Sequence, residues 1–347
     1  MTGHRIKEQL ESLKPNEAHK ERLFRGIMGA AEFNPSGRRE RRSRRPLRSA
    51  MLTAAAMICL ITTTAYAAAY MGLDVKWLNF LRPADSGQAA YLENGAYVVN
   101  QRVTNENGTL DVKQVIGDSH LIYVLMDFTA PEGVALSAER YRFETDLDFE
   151  APGSYSAGIG YEVLDDGHPD DNKISLAMSY QLTRQAPIGS PVTLRVRDLE
   201  EAAALPDEFE TIVPGEWETT FILDYKDLST THAIQREIRL YSHLATLTSI
   251  SISPIAVTLK VDSPHLRQIN EAAHLEPTEM APNEYTDPYP ITIHYKDGTS
   301  DTTTIWEGTI VGDYVSDTLT IIKPFTPILN SKEIEAVSFF GAYIPVS

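Results

Sequence analysis

Cysteine is almost absent: among 347 residues there is one, Cys59, and it has no mate. A disulfide scaffold is therefore excluded, and so are zinc sites built on several thiolates. Enzyme signatures are missing too. The chain contains no His-Glu-x-x-His, no Gly-x-Ser-x-Gly elbow and no phosphate-cradling Gly-Lys-Ser/Thr loop, so the common metal-hydrolase, serine-hydrolase and nucleotide sites have no local foundation. The stretch "GSYSAGIG" is only glycine-rich and reads as a turn or bulge. Positive charge is scarce after Leu73, where eighteen Lys+Arg face forty-two Asp+Glu, a net charge of −24. A surface this acidic repels phosphate backbones, which excludes nucleic acid as a partner of that region. The expectations are no enzyme, no cofactor and no bound nucleic acid.

Charge of either sign vanishes altogether from Ser49 to Leu73, 25 residues without Asp, Glu, Lys, Arg or His. As a helix this run measures about 37 Å, enough to cross a hydrocarbon core of about 30 Å with some tilt. Arg38, Arg39, Arg41, Arg42, Arg44, Arg45 and Arg48 stand just ahead of it. By the positive-inside rule they orient the segment, keeping the N-terminus in the cytoplasm and placing the acidic region outside. Anionic headgroups account for these arginines. A rival reading is a cleaved export signal, because Ser43-Arg44-Arg45-Pro46-Leu47-Arg48 resembles a twin-arginine motif and Ala65-Tyr66-Ala67 a small-residue cleavage site. Against it stand some forty patterned residues ahead of the apolar run. The expected localisation is a cell membrane, crossed once, with the lipid bilayer as a partner.

Residues 1–36 read as two short amphipathic helices. Ile6, Leu10 and Leu13 recur at helical spacing, and Leu23, Phe24, Ile27 and Met28 share one face of a second segment that Asn16 caps. Neither piece can bury that face alone, so the face awaits a partner protein or the inner leaflet. Residues 37–48 are the arginine-rich juxtamembrane segment, 49–73 the transmembrane helix and 74–83 a short helical linker, "LDVKWLNFL" and the residues after it.

Beyond the linker the chain reads as strands throughout, with Gly, Pro, Asn and Asp turns between them. Runs such as "TLDVKQVIGD", "HLIYVLMDFTA", "KISLAMSYQL" and "PVTLRVRDL" alternate or are wholly apolar over strand lengths. Around "YKDLSTTHAIQ" the pattern pauses, then resumes with "EIRLYSHLATLTSISISP", which reads as one run, and "IAVTLKVD". Asp297-Gly298 predicts a hairpin turn. The reading is mainly β, with two tandem β-sandwiches at 84–226 and 227–347.

These residues also carry a resemblance. "TLDVKQVIGDSHLIYVLMDFTAPEGV", "GEWETTFILDYKD", "TLTSISISPIAVTL" and "IHYKDGTS" resemble the bacterial domain of unknown function 4179, and the likeness extends over nearly the whole chain. It implies a membrane-anchored, anti-sigma-factor-like protein of Gram-positive bacteria with an immunoglobulin-like C-terminal module. It implies no catalytic or ligand residue. On this reading a cytoplasmic sigma factor contacts Leu23, Phe24, Ile27 and Met28, and an unknown extracytoplasmic ligand is sensed outside. The alternative is a surface-displayed binding or structural module that transmits no signal.

Two acidic patterns stand out. "FETDLDFE" sets Glu144, Asp146, Asp148 and Glu150 on one strand face and Phe143, Leu147 and Phe149 on the other, and such a row needs a screening cation or water. "DDGHPDDN" gathers Asp165, Asp166, His168, Asp170 and Asp171, oxygen ligands of the kind Ca²⁺ takes, without the order of an EF-hand loop. A solvated face and a polar loop are the plainer explanations. Trp217 and Trp306 are expected in the core. His274 and Glu276 are too few for a metal, and His232, His243, His265 and His294 are scattered through the second half.

Overall fold

The computed structural model describes residues 73–347 except 151–156, 166, 169–170, 204–207, 276–286, 304–307 and 347. The amphipathic segments, the arginines, the contact residues Leu23, Phe24, Ile27 and Met28, and the apolar span up to residue 72 lie outside the described residues, as do Trp306, Asp166, Asp170 and Glu276. Among the described residues, no helix is long and apolar enough to cross a membrane.

The described chain is mainly β, arranged as four antiparallel sheets. The first lobe contains β1 (Tyr97–Asn105), β2 (Gly108–Gly117), β3 (Leu121–Thr129), β4 (Tyr141–Phe149), β5 (Ala157–Leu164), β6 (Lys173–Leu182), β7 (Pro191–Ala202) and β8 (Phe209–Ile222). One sheet runs β1-β2-β3-β6-β5 and the other β4-β7-β8. Between them lies one core in which Phe128, Phe143 and Trp217 meet edge to face at 4.9–6.1 Å. Trp217 is fully buried, and its indole N–H donates to the Gly108 carbonyl at 3.1 Å. A buried indole is satisfied in this way without breaking the apolar packing.

The second lobe contains β9 (Thr230–Leu240), β10 (His243–Ile252), β11 (Ala256–Asp262), β12 (Ile291–Tyr295), β13 (Ser300–Thr302), β14 (Thr309–Asp313), β15 (Thr318–Pro324), β16 (Ile334–Phe339) and β17 (Ala342–Pro345). Its sheets run β14-β15-β11-β10-β9 and β13-β12-β16-β17 around a separate core drawn from Ile238 to Ile344. Across that core Lys323 of β15 reaches Asp287, in the approach to β12, at 2.6 Å, with both side chains nearly inaccessible to solvent. The Thr303 hydroxyl and the Tyr289 N–H donate to the same carboxylate.

Among the described residues three α-helices accompany the strands: α1 (Val75–Leu81), α2 (Ser86–Gly95) and α3 (Leu266–Leu275). The helical linker is as expected from its sequence. Asp74 caps α1 by accepting from the Lys76 N–H, Arg82 closes it in the left-handed region at φ 45°, and Pro83 follows. That ending suits a short helix, since proline cannot continue it. The reading of strands throughout is corrected by α2 and α3. The segment "SGQAAYLENG" of α2 has almost no apolar periodicity and forms because Asp85 caps it and Leu92 is buried by tertiary contacts. In α3, Leu266 and Ile269 are buried, three positions apart on one face. A second correction concerns "EIRLYSHLATLTSISISP", which is a hairpin. Tyr241 and Ser242 both adopt positive φ, 46° and 70°, and reverse the chain between β9 and β10. Paired positive φ values are those of a two-residue turn, and nothing in Tyr-Ser announces them. At the β12–β13 hairpin, Gly298 takes φ 86° as its turn sequence requires.

Strand β3 is buried along both faces. Ile122, Val124, Met126 and Phe128 enter the first-lobe core, whereas Leu121, Tyr123 and Leu125 join Trp77, Leu81 and Leu92 of α1 and α2 and Ile255, Ala256 and Ile328 of the second lobe. Helices α1 and α2 thus occupy the seam between the lobes.

Candidate functional site

The seam combines an apolar wedge, a buried polar cluster and an adjoining cleft. The wedge is the segment that directly follows the expected membrane span. Asp74 N–H donates to Gln114 Oε1 at 2.9 Å on the first lobe, and the Ile328 N–H of the second lobe donates to the Leu81 carbonyl at 2.9 Å. Lys76 of α1 reaches Asp127 of β3 at 2.8 Å. Lys173 and Lys113 approach the same carboxylate at 3.0 and 3.7 Å, and the Ser175 hydroxyl donates to it. Burial by itself would raise the Asp127 carboxyl, but the hydrogen bonds from Lys76, Ser175 and Lys173 outweigh it and hold the pKa at about 2. Because the folded value lies below the ordinary 3.8, the stability it contributes is complete above that pH and is lost as pH falls through about 2. Acid titration followed by Trp77 fluorescence should therefore show α1 loosening at the acid end, and Asp127→Asn should remove that transition.

Behind the helices, the turn from β2 to β3 carries Asp118, Ser119 and His120, all buried. Asp118 accepts from the His120 and Leu121 N–H groups at 2.8 Å and from Ser253 Oγ of the second lobe at 2.5 Å. Its carbonyl accepts from the Tyr225 hydroxyl at 2.6 Å, and Ser119 donates to Asp227 at 2.5 Å. Residues 225–229 are the connection between the lobes, so the cluster ties both lobes and their linker to one turn. The approach needs glycine at 117, where a Cβ would come within 2.6 Å of the Tyr225 ring. Gly117→Ala should displace Tyr225 and lower the melting temperature by several degrees, measured by calorimetry, because the added methyl would also press on the Leu121 carbonyl at 2.9 Å.

Burial raises the Asp118 carboxyl to about 6 against its three hydrogen bonds, with the Asp227 charge adding to the rise. Burial also lowers the His120 imidazole to about 4, assisted by Lys260 and opposed by Asp227. Among the described residues, His120 Nε2 and the Tyr91 hydroxyl are buried with no hydrogen-bond partner. Tyr91 of α2 lines a cleft of about 780 Å³ with Gln88, Asn94, Lys226, His232 and Asn330. A cleft with mixed apolar and amide walls suits a small ligand or a peptide segment. Neither sequence motif marked it, because its walls come from α2, the linker and the second lobe.

The acidic patterns find other uses. Glu144 pairs with Arg197 at 2.6 Å and Asp146 meets Arg195 at 3.4 Å, both arginines being on the neighbouring β7. For these two of the row's four carboxylates the screening cation is the protein's own guanidinium. Asp165 and Asp171 are exposed and accept from the Gly167 and Lys173 N–H groups, as turn-forming aspartates do. Among the described residues, no three His, Cys, Asp or Glu side chains converge on a metal position.

No family model matches the chain, and no curated protein does. A solved structure, described as the crystal structure of the conserved domain protein from Bacillus anthracis, is similar at 12% identity and a TM-score of 0.45, covering 70% of this chain and 75% of that one.

Proposed function

We propose that the protein is a single-pass membrane protein whose extracytoplasmic region, a pair of immunoglobulin-like sandwiches, senses a condition or ligand outside and controls an anti-sigma-factor-like N-terminal segment. The observation that carries this reading is the placement of residues 73–95. This segment leads away from the expected span at 49–73 and is built into both lobes at once through Leu81, Gln88 and Leu92. Any change in how the lobes meet must move or strain it, which is the mechanical requirement for passing a signal toward the membrane. The resemblance to domain 4179 supports the same reading, as does the contrast between a cytoplasmic net charge of +7 over residues 1–48 and −24 after Leu73.

The test is co-purification from membranes of cells expressing the full chain. A sigma factor should accompany the wild type and be lost from Leu23→Asp/Ile27→Asp. Recovery of no transcription protein with the wild type would overturn the signalling reading. The cleft beside Tyr91 favours a second reading, a surface-displayed binding module. In that case deletion of residues 1–36 leaves the cellular phenotype intact, whereas the first reading requires its loss.

A further inference from the structure

His243 and His265 are 22 positions apart in sequence, yet their rings stand 5.6 Å apart, centroid to centroid, tilted by 39°. His243 is half-buried and His265 exposed, and no hydrogen bond from another described residue occupies either ring nitrogen. Two imidazoles bound to one tetrahedral metal ion through nitrogens at about 2.0–2.1 Å have centroids about 5 Å apart. The pair is thus close enough that side-chain rotation alone can bring a nitrogen of each ring to one ion, although 5.6 Å and a 39° tilt are also the spacing of ordinary ring packing.

The backbone beneath the pair is fixed. His243 opens β10 immediately after the Tyr241–Ser242 reversal. His265 ends the turn before α3, and its N–H donates to Ser263 Oγ at 3.1 Å. Ser263, itself buried, donates that hydroxyl to the Leu244 carbonyl at 2.6 Å and its N–H to the Asp317 carbonyl at 2.9 Å. One side chain therefore stitches the residue beside His243 to the turn that carries His265. Such support is what holds two ligands at a common distance and lowers the ordering cost of binding.

We propose that His243 and His265 form a two-histidine site for a borderline divalent transition-metal ion, Zn²⁺, Ni²⁺ or Cu²⁺, with water completing the coordination shell. Imidazole nitrogen selects these ions over Ca²⁺ and Mg²⁺, which take oxygen. Binding would clamp the start of α3 to the β9–β10 hairpin. The site stands apart from the seam, so it does not depend on the signalling reading.

The experiment is isothermal titration of the full-length protein in detergent with Zn²⁺ and with Ni²⁺, alongside Cu²⁺ paramagnetic resonance. One site per chain is expected, with two-nitrogen coordination in the copper spectrum. His243→Ala and His265→Ala should each weaken binding at least tenfold, Ser263→Ala should weaken it less, and His232→Ala should leave it unchanged. All four side chains except Ser263 are partly or fully exposed, so the histidine variants should keep the wild-type circular dichroism spectrum. Binding that survives either His243→Ala or His265→Ala, a copper spectrum showing a single nitrogen, or equal affinity for Ca²⁺ would overturn the proposal.

Discussion

Asp287→Leu should destabilise the second lobe by roughly 3–5 kcal/mol, because it leaves the Lys323 ammonium in the core with its charge uncompensated. The two side chains are 2% and 1% exposed, so water cannot take the place of the lost carboxylate. Thr303 and the Tyr289 N–H lose their acceptor in the same step, which adds unsatisfied donors to the unpaired charge. Lys323→Met alone should cost a comparable amount, since it strands the carboxylate instead. The double variant Asp287→Leu/Lys323→Met should recover most of the loss, because an apolar pair of similar volume has no desolvation to repay. Chemical denaturation of the four proteins as a double-mutant cycle measures this. If the single and double variants prove equally unstable, the ion pair is not what holds the two sheets of that lobe together.

The second large effect lies in the seam, where Asp118 and His120 should oppose each other in their response to pH. The folded Asp118 carboxyl, at about 6, lies above its ordinary 3.8. Its contribution is complete below 3.8 and is lost as pH rises through about 6, a difference of roughly 3 kcal/mol. The folded His120 imidazole, at about 4, lies below its ordinary 6.5. Its contribution is complete above 6.5 and is lost as pH falls through about 4, again by roughly 3 kcal/mol. Between these limits the two slopes nearly cancel in the wild type.

Single substitutions remove the cancellation. Asp118→Asn keeps an acceptor for the His120 and Leu121 N–H groups and leaves only the imidazole to titrate. Relative to wild type, that variant should lose stability as pH falls from 6.5 to 4. His120→Gln leaves only the carboxyl and should gain stability over the same interval. The charged neighbours facing the pair are Asp227 and Lys260, while Tyr91 and Tyr225, both raised by burial, stay neutral throughout. Denaturation midpoints at four pH values for the three proteins decide it, and parallel curves would refute the opposition.

This arrangement also bears on the proposed signalling. A turn that joins both lobes and their linker contains two groups whose proton affinities depend on exclusion of solvent from the seam. The cleft beside Tyr91 adjoins the same connection at Lys226. Occupancy there would reach the wedge through α2, which is one wall of the cleft and part of residues 73–95.

Much of this was legible in the order of residues alone. Alternation along "YRFETDLDF" determines which side of β4 faces the core, because successive side chains on a strand point to opposite faces. The apolar run Leu121–Met126 marks β3 as a strand, and it is buried on both faces between two layers. Tertiary structure alone decided the rest. Helix α2 has no periodicity to read and exists because the seam buries Leu92. The pairing of Glu144 and Asp146 with arginines depends on which strand lies beside β4. Asp118 becomes a displaced acid only because another lobe closes over it, and His243 meets His265 only because a hairpin and a turn are stitched through Ser263. Local pattern determines which face is apolar, but desolvation and proximity between distant residues are properties of the packed chain, and these are what give a side chain its chemistry.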